Sequence, residues 1–304
     1  MRKIAAELGR APSTVSREVQ RNGGREAYRA VAADARALAS ARRPKPCKLA
    51  REPKLRRLVA SKLRKNWSPG QISGWLRARF SASSRMYVSH ETIYRTLFVQ
   101  ARGALKKELQ AHLRTKRPMR RSKKSTLRNK GRGQIRDAVS ISERPPEVED
   151  RAVPGHWEGD LLLGSGSTQI VTLVERASRF TMLIKIGSRE APVVARALEK
   201  QIVKLPARLR RSLTWDRGLE MAEHARFTVA TGVQVYFCDP QSPWQRGTNE
   251  NTNRLLRQYF PKRTPLGDIS QHKLNAIAKE LNERPRKTLN FETPAERLSV
   301  ALSH

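Results

Sequence analysis

The sequence predicts all-α units over roughly the first hundred residues and an α/β domain from 151 to 304. Three observations predict this. Short apolar stripes at helical spacing, separated by a glycine-containing turn, open the chain. A similar set recurs between Glu52 and Gln100. From Val153 the pattern changes to period two, the signature of strands.

Charge narrows the partners before any motif does. The 304 residues suit two or three domains, and 62 Lys and Arg against 27 Asp and Glu leave a net charge of +35. A charge of that size seeks polyanions, of which nucleic acid is the commonest and an anionic membrane surface the rival. No run of about 18 apolar residues exists to span a bilayer. The start at Met1 reads as polar helix rather than as a signal peptide. Cys47 and Cys238 are far apart, and the 6 histidines show no paired spacing. A zinc module and a disulfide framework are therefore not expected, and a reducing cytosol is.

In "RKIAAELGRAPSTVSREVQRN", Ile4, Ala5 and Leu8 form one stripe and Gly9 ends it. Pro12 and Ser13 open the next helix, with Ser13 as its expected cap. Val15 and Val19 face back toward the first helix. Ser13, Thr14, Arg17 and Arg21 are then available to a DNA groove, in the helix-turn-helix pattern. A plain helical hairpin is the alternative. Residues 1–45 make this unit and a helical linker, and the unit starts without the helix that such units usually have in front.

Residues 46–101 repeat the theme. Leu55, Leu58, Val59 and Leu63 mark a first helix, Ser68-Pro69 starts a second, and Ser89 caps a third. Ser89, His90, Thr92 and Arg95 are the expected DNA contacts, while Trp67, Trp75, Tyr94 and Phe98 are expected in the core. A compact three-helix domain that only holds its neighbours is the alternative. Residues 102–150 form a basic arm whose later part has too few apolar residues to bury. Its Lys116, Arg117, Arg120 and Arg121 are suited to phosphate contacts.

The α/β domain opens with "GHWEGDLLLG", whose alternation puts Glu158, Asp160 and Leu162 on one face. Two more strands, a helix, the strand "SLTWD" ending at Asp216, another helix and the strand "VQVYFCDP" follow. Three antiparallel strands and then alternating helix and strand is the order of a ribonuclease-H-like fold, the type found in retroviral integrase catalytic domains. In that topology the strands carrying Asp160 and Asp216 are adjacent. In the helix after Gly247, Glu250, Asn253, Arg254 and Arg257 share the face opposite the apolar one.

Three carboxylates are thus expected to converge. Packed carboxylates repel unless cations neutralise them, and two Mg²⁺ ions, for which Mn²⁺ can substitute, suit hard oxygen ligands. Such a pair drives in-line phosphoryl transfer. Arg257 is placed to hold a phosphate. Taken alone, Glu250 would read as a solvated helix-start acid. Glu158 is an alternative ligand, expected instead at the surface or in support. Asp239 is expected to support the site or form a turn; Glu220, Glu223 and His224 are expected along the cleft.

The stretches "LGRAPSTVSREVQRN", "WSPGQISGWL", "GHWEGDLLLG", "SLTWDRGLEMAEH", "DPQSPWQRGTNENTNRLLRQYFPK" and "LNERPRKTLNFETPAERL" resemble DDE transposases of the insertion-sequence-30 type. The resemblance covers nearly the whole chain, and 33 residues lie between Asp216 and Glu250, as in the family pattern. It implies a catalytic triad of Asp160, Asp216 and Glu250, followed by the basic Arg257. It implies cleavage at the terminal inverted repeats of a mobile element and strand transfer by the freed 3′-OH into double-stranded target DNA. It also implies a homo-oligomer on DNA, in the nucleoid of a bacterial cytoplasm. Arg254 departs from the family, which often has Gly there, and the N-terminus is shorter than usual. The alternative is a truncated, non-catalytic DNA-binding remnant that represses or competes at element ends.

Overall fold

The computed structural model describes residues 1–42, 47–98, 105, 107–113, 138–148, 151, 153–166, 168–239 and 242–303. It forms two compact units, Met1–Arg51 and Glu52–His304. The arm residues Lys116, Arg117, Arg120 and Arg121 lie outside the described residues. No described helix is long and apolar enough to cross a membrane.

In the first unit, α1 (Arg2–Glu7) and α2 (Pro12–Arg21) pack together across a turn at Gly9 and are followed by α3 (Gly24–Ala27), α4 (Ala30–Arg42) and α5 (Lys48–Arg51). Of the expected stripe only Ala5 is buried; Ile4 is 50% and Leu8 63% exposed, because α2 covers one edge of so short a helix. Ser13 is not the cap. Ala11 takes that position with no side-chain bond, since Pro12, with its fixed φ, starts the helix one residue earlier.

The second unit begins with α6 (Pro53–Arg64), α7 (Pro69–Arg79) and α8 (His90–Phe98). Leu55, Val59 and Leu63 are buried along α6. Ser68 and Gln71 close a reciprocal capping box at the start of α7. Trp67 is buried and meets Trp75 edge-on at 5.6 Å, with the Lys62 ammonium 4.3 Å from the Trp67 ring. Phe98 departs from expectation: it stacks on Tyr94 but remains 39% exposed, because it ends its helix. Leu105, Leu109 and Leu113 are buried, and the turn Lys107–His112 packs on α6 and α8, so the near end of the basic arm is folded.

These helices are docked on the C-terminal part of the same unit. Asn66 donates to Glu280, Gln71 donates to the Pro285 carbonyl, and the Phe291 ring fills the space a side chain at residue 74 would need.

The sheet holds β1 (His156–Leu163), β2 (Gln169–Glu175), β3 (Thr181–Ile186), β4 (Ser212–Trp215) and β5 (Gln234–Phe237) in the order β3-β2-β1-β4-β5. β1, β2 and β3 are antiparallel, and β4 and β5 run parallel to β1. This is the ribonuclease-H-like topology. On one face α9 (Ala191–Ile202) and α10 (His224–Thr231) bury Trp157, Leu173, Leu213 and Trp215. On the other, α11 (Gly247–Leu256) and α12 (Gln271–Asn282) pack over Leu162, Ile170 and Leu183; α13 (Pro294–Ser303) ends the chain.

The β3 edge is covered and β5 is met at one end. Along β3, the Asn282 amide bonds the Thr181 N–H and carbonyl, and Gln271 accepts from the Lys185 N–H and donates to the Leu183 carbonyl. Beside β5, the Val139 carbonyl accepts from the Phe237 N–H. Ile141 and Val148 are buried nearby in sequence, so the far end of the arm region is folded too.

Candidate active site

β1 pairs directly with β4, from His156 opposite Ser212 to Glu158 opposite Thr214. Continuing that register brings Asp160 of β1 alongside Asp216, the residue after β4. Gly159 allows the close approach: a Cβ there would fall 2.1 Å from the Trp215 ring.

Arg246, at the residue before α11, joins the two acids. Its Nη1 lies 3.4 Å from Asp160 Oδ1 and its Nη2 lies 3.2 Å from Asp216 Oδ2. Nη1 also donates to the Gly159 carbonyl at 2.8 Å. Asp160 Oδ2 accepts from Asn253 Nδ2 at 2.8 Å, and Asp160 Oδ1 accepts from the Leu161 N–H. Asp216 Oδ1 accepts from the Gly218 N–H at 3.3 Å.

Burial raises the Asp160 carboxyl, Arg246 opposes that, and Asp216 adds to it; the net direction is up. Burial also works against a charged Arg246, yet Asp160 and Asp216 together raise it above the usual guanidinium value. Glu220 is raised as well, by burial first and then by Asp216 and Asp160; it accepts from the Trp215 indole at 3.3 Å. It sits in the turn Leu219–Met221, which precedes α10 rather than belonging to it. Glu223 pairs with Arg226, and His224 is buried with its ring edge-on to Phe237.

Glu250 is not gathered with the aspartates. It lies one turn along α11 from Arg246 and pairs with Arg254 at 3.4 Å, both side chains about half exposed or more. Among the described residues no set of three or more His, Cys, Asp or Glu is arranged to hold a metal. An exposed i,i+4 pair contributes only about 0.3–0.5 kcal/mol, so Arg254 does not lock Glu250 away. Arg257 differs from expectation too. Its Nη1 donates to the Leu163 carbonyl at 3.0 Å, at the end of β1, because a helix-end guanidinium reaches the nearest unpaired carbonyls.

Glu158 is neither ligand nor surface acid. It is fully buried, 2.8 Å from Arg176, and accepts from the Asn249 N–H at 2.9 Å. Asn249 escaped the sequence reading. Its side chain bonds the Glu158 carbonyl, the Thr172 carbonyl and the Thr172 hydroxyl, which pins the start of α11 to β1 and β2. Two inward-facing polar strand residues, Glu158 and Thr172, were the available signal for it. Asp239 and Gln245 bond each other reciprocally and brace the loop before Arg246.

The residues fit a hard divalent cation. Two carboxylates face each other, and their oxygens already share a positive charge, that of Arg246.

Of the groove candidates, Ser13, Thr14, Arg17 and Arg21 are all exposed on α2, with Arg17 Nε bonded to the Ser13 carbonyl. His90 and Arg95 are exposed on α8. Ser89 and Thr92 are engaged with each other at 2.9 Å, and Ser89 accepts from the Thr92 N–H, so these hydroxyls build the helix start.

Comparison with known proteins agrees with this architecture. Residues 150–243 match the integrase core domain and residues 1–22 a helix-turn-helix domain. The "Transposase InsI for insertion sequence element IS30A" of Escherichia coli K12 is 50% identical over 297 residues, 97% of this chain and 78% of that protein. The "Transposase for insertion sequence element IS1086" of Cupriavidus metallidurans is 47% identical over 310 residues, covering all of this chain and 90% of that one. A simian T-cell lymphotropic virus intasome in complex with a PP2A regulatory subunit is 18% identical, with a TM-score of 0.39 over 48% of this chain and 54% of that one. The two insertion-sequence relatives favour a transposase over a non-catalytic remnant. Similarity at this level over nearly all of this chain, with a helix-turn-helix at the start and an integrase core after it, places the chain in the IS30 family of insertion-sequence transposases.

Proposed function

We propose that this transposase cuts and joins double-stranded DNA at an Asp160–Asp216–Glu250 centre, acting on the terminal inverted repeats of its element and on target DNA. The observation that carries the reading is the Asp160–Arg246–Asp216 bridge: two carboxylates on adjacent strands around one positive charge. Bound there, two Mg²⁺ ions (or Mn²⁺) would activate the attacking oxygen and stabilise the leaving one.

The chain's own residues supply the frame. Asn253 orients Asp160 by donating to Oδ2, and the Gly218 N–H orients Asp216. Asn249 fixes the first turn of α11, and with it the position from which Glu250 swings off Arg254 to join the pair. Arg257 ties α11 to the end of β1 and offers positive charge for a phosphate. Arg17 and Arg21 of α2 read the repeat, while His90, Arg95 and the basic arm add contacts along the duplex. Two DNA ends must be held together, so the working form is a homo-oligomer on DNA.

The test is incubation of the full chain with Mg²⁺ and a labelled duplex ending in the element's repeat. Nicks at the repeat and joined products, both abolished by EDTA, are the expected result. Binding without cutting in Mg²⁺ or Mn²⁺ would sink the catalytic reading. In the same preparation, Arg17→Ala and Arg21→Ala should each weaken binding to the repeat by about 1–3 kcal/mol. Equal loss on a random duplex would make them phosphate contacts rather than base readers.

A further inference from the structure

Arg246 occupies an unusual position for a basic side chain. It is 14% exposed, and its two terminal nitrogens go to two different carboxylates. A guanidinium fork normally meets one carboxylate with both arms. Here each arm neutralises one strand's acid, and the carbonyl of Gly159 takes a further bond from the arm on Asp160.

A divalent ion on those same oxygens would sit about 2.1 Å from each. Arg246 lies 3.2–3.4 Å from them. Two cations would then be a few ångströms apart in a partly buried site, where repulsion is poorly screened. Each occupant therefore weakens the hold of the other.

The local chain gives Arg246 somewhere to go. It ends the turn Pro243–Arg246, is followed by Gly247, and stands two residues from Trp244, which is 72% exposed. A side chain at that junction can swing outward without disturbing α11, whose start is held independently by Asn249. A DNA phosphate delivered to the same centre is a natural acceptor for its fork.

We propose that Arg246 is the resident counter-ion of Asp160 and Asp216 in the DNA-free protein, and that it moves onto a DNA phosphate when metal loads. The inference rests on the two aspartates holding metal, as proposed above. Its consequence is coupling. DNA that draws Arg246 away raises metal affinity, and metal that expels Arg246 raises DNA affinity by the same factor.

The test measures Mn²⁺ binding directly, by the paramagnetic signal of the free ion, on the full chain with and without a short duplex of arbitrary sequence. Without DNA, Arg246→Gln should bind Mn²⁺ on the order of ten-fold more tightly than the unaltered protein. DNA should tighten Mn²⁺ binding in the unaltered protein and have little effect in the variant. Asp160→Asn should abolish binding in both backgrounds. Melting provides a second readout: Arg246→Gln should melt lower without metal and gain more from Mn²⁺ than the unaltered protein does. Arg246→Lys, which keeps the charge but loses the fork, should fall between the two and serves if the Gln variant does not fold. Unchanged or weaker Mn²⁺ binding in Arg246→Gln and Arg246→Lys, with Asp160→Asn still abolishing it, would overturn the proposal and leave the metal reading standing. Mn²⁺ binding untouched by Asp160→Asn would overturn both.

Discussion

Asp160→Asn, Asp216→Asn and Glu250→Gln should each lower DNA cleavage by about 10³-fold or more while leaving DNA binding, measured without metal, nearly unchanged. Each substitution keeps the side chain's shape and removes one negative charge. Asp160 is the most constrained of the three, bonded by Leu161, Asn253 and Arg246. Its amide would still meet Arg246 but would lose the charge that a metal needs. Glu250→Gln is the most informative, because Glu250 stands apart from the aspartates and pairs with Arg254. A Glu250→Gln protein that cuts at the normal rate would remove Glu250 from the site and turn attention to Glu220, whose carboxyl lies in the field of both aspartates. Cleavage rates with saturating Mg²⁺, read beside a binding curve for each variant, decide the matter.

The second large effect is on stability. Arg176→Ala should destabilise the fold by about 3–5 kcal/mol. Arg176 and Glu158 have side chains 4% and 0% exposed, 2.8 Å apart. Arg176 also donates to the Val148 carbonyl, so the substitution leaves a buried carboxylate with the Asn249 N–H but no counter-charge, and takes a donor from the Val148 carbonyl. Burial first, and then the neighbouring Arg144, Arg151 and Arg179, lower the Arg176 guanidinium to about 10. It is held as a cation by Glu158 against that opposition. Total stability is only about 5–15 kcal/mol for a typical fold, so roughly a fifth or more of it is at stake. Thermal melting of the full chain is the measurement, with Glu158→Leu/Arg176→Met as control. Removing both charges together should cost much less than removing one. A single variant that melts with the unaltered protein would mean that water reaches Glu158.

The fold was legible where local pattern and tertiary packing agree. Alternation in "HWEGDLLL" gave the correct inward set, because Trp157 and Leu162 do pack on opposite helical layers. Ser68 and Ser89 marked helix starts because a hydroxyl before a helix has few better uses. Ser13 misled, since Pro12 supplied a competing start signal. At the site, the positions of Asp160 and Asp216 followed from strand order alone. The orientation of Glu250 did not, because an exposed carboxylate on a helix answers to its nearest cation, here Arg254. Arg246 was illegible for a different reason. Among 62 Lys and Arg, no sequence feature marks Arg246 as one of those turned inward. Asn249 lies in a run of polar residues that reads as a solvated face, and only docking on β1 and β2 reveals it as buried.

The amides of Gln271 and Asn282 along β3 constrain how this protein can associate with itself. They occupy the hydrogen-bonding positions a neighbouring strand would use, and the Val139 carbonyl does the same at one end of β5. The β3 edge is therefore largely spent, while β5 is met at one end. A second copy cannot extend the sheet by pairing along β3. The homo-oligomer proposed above then has to form through surfaces other than the β3 edge, or through the DNA itself.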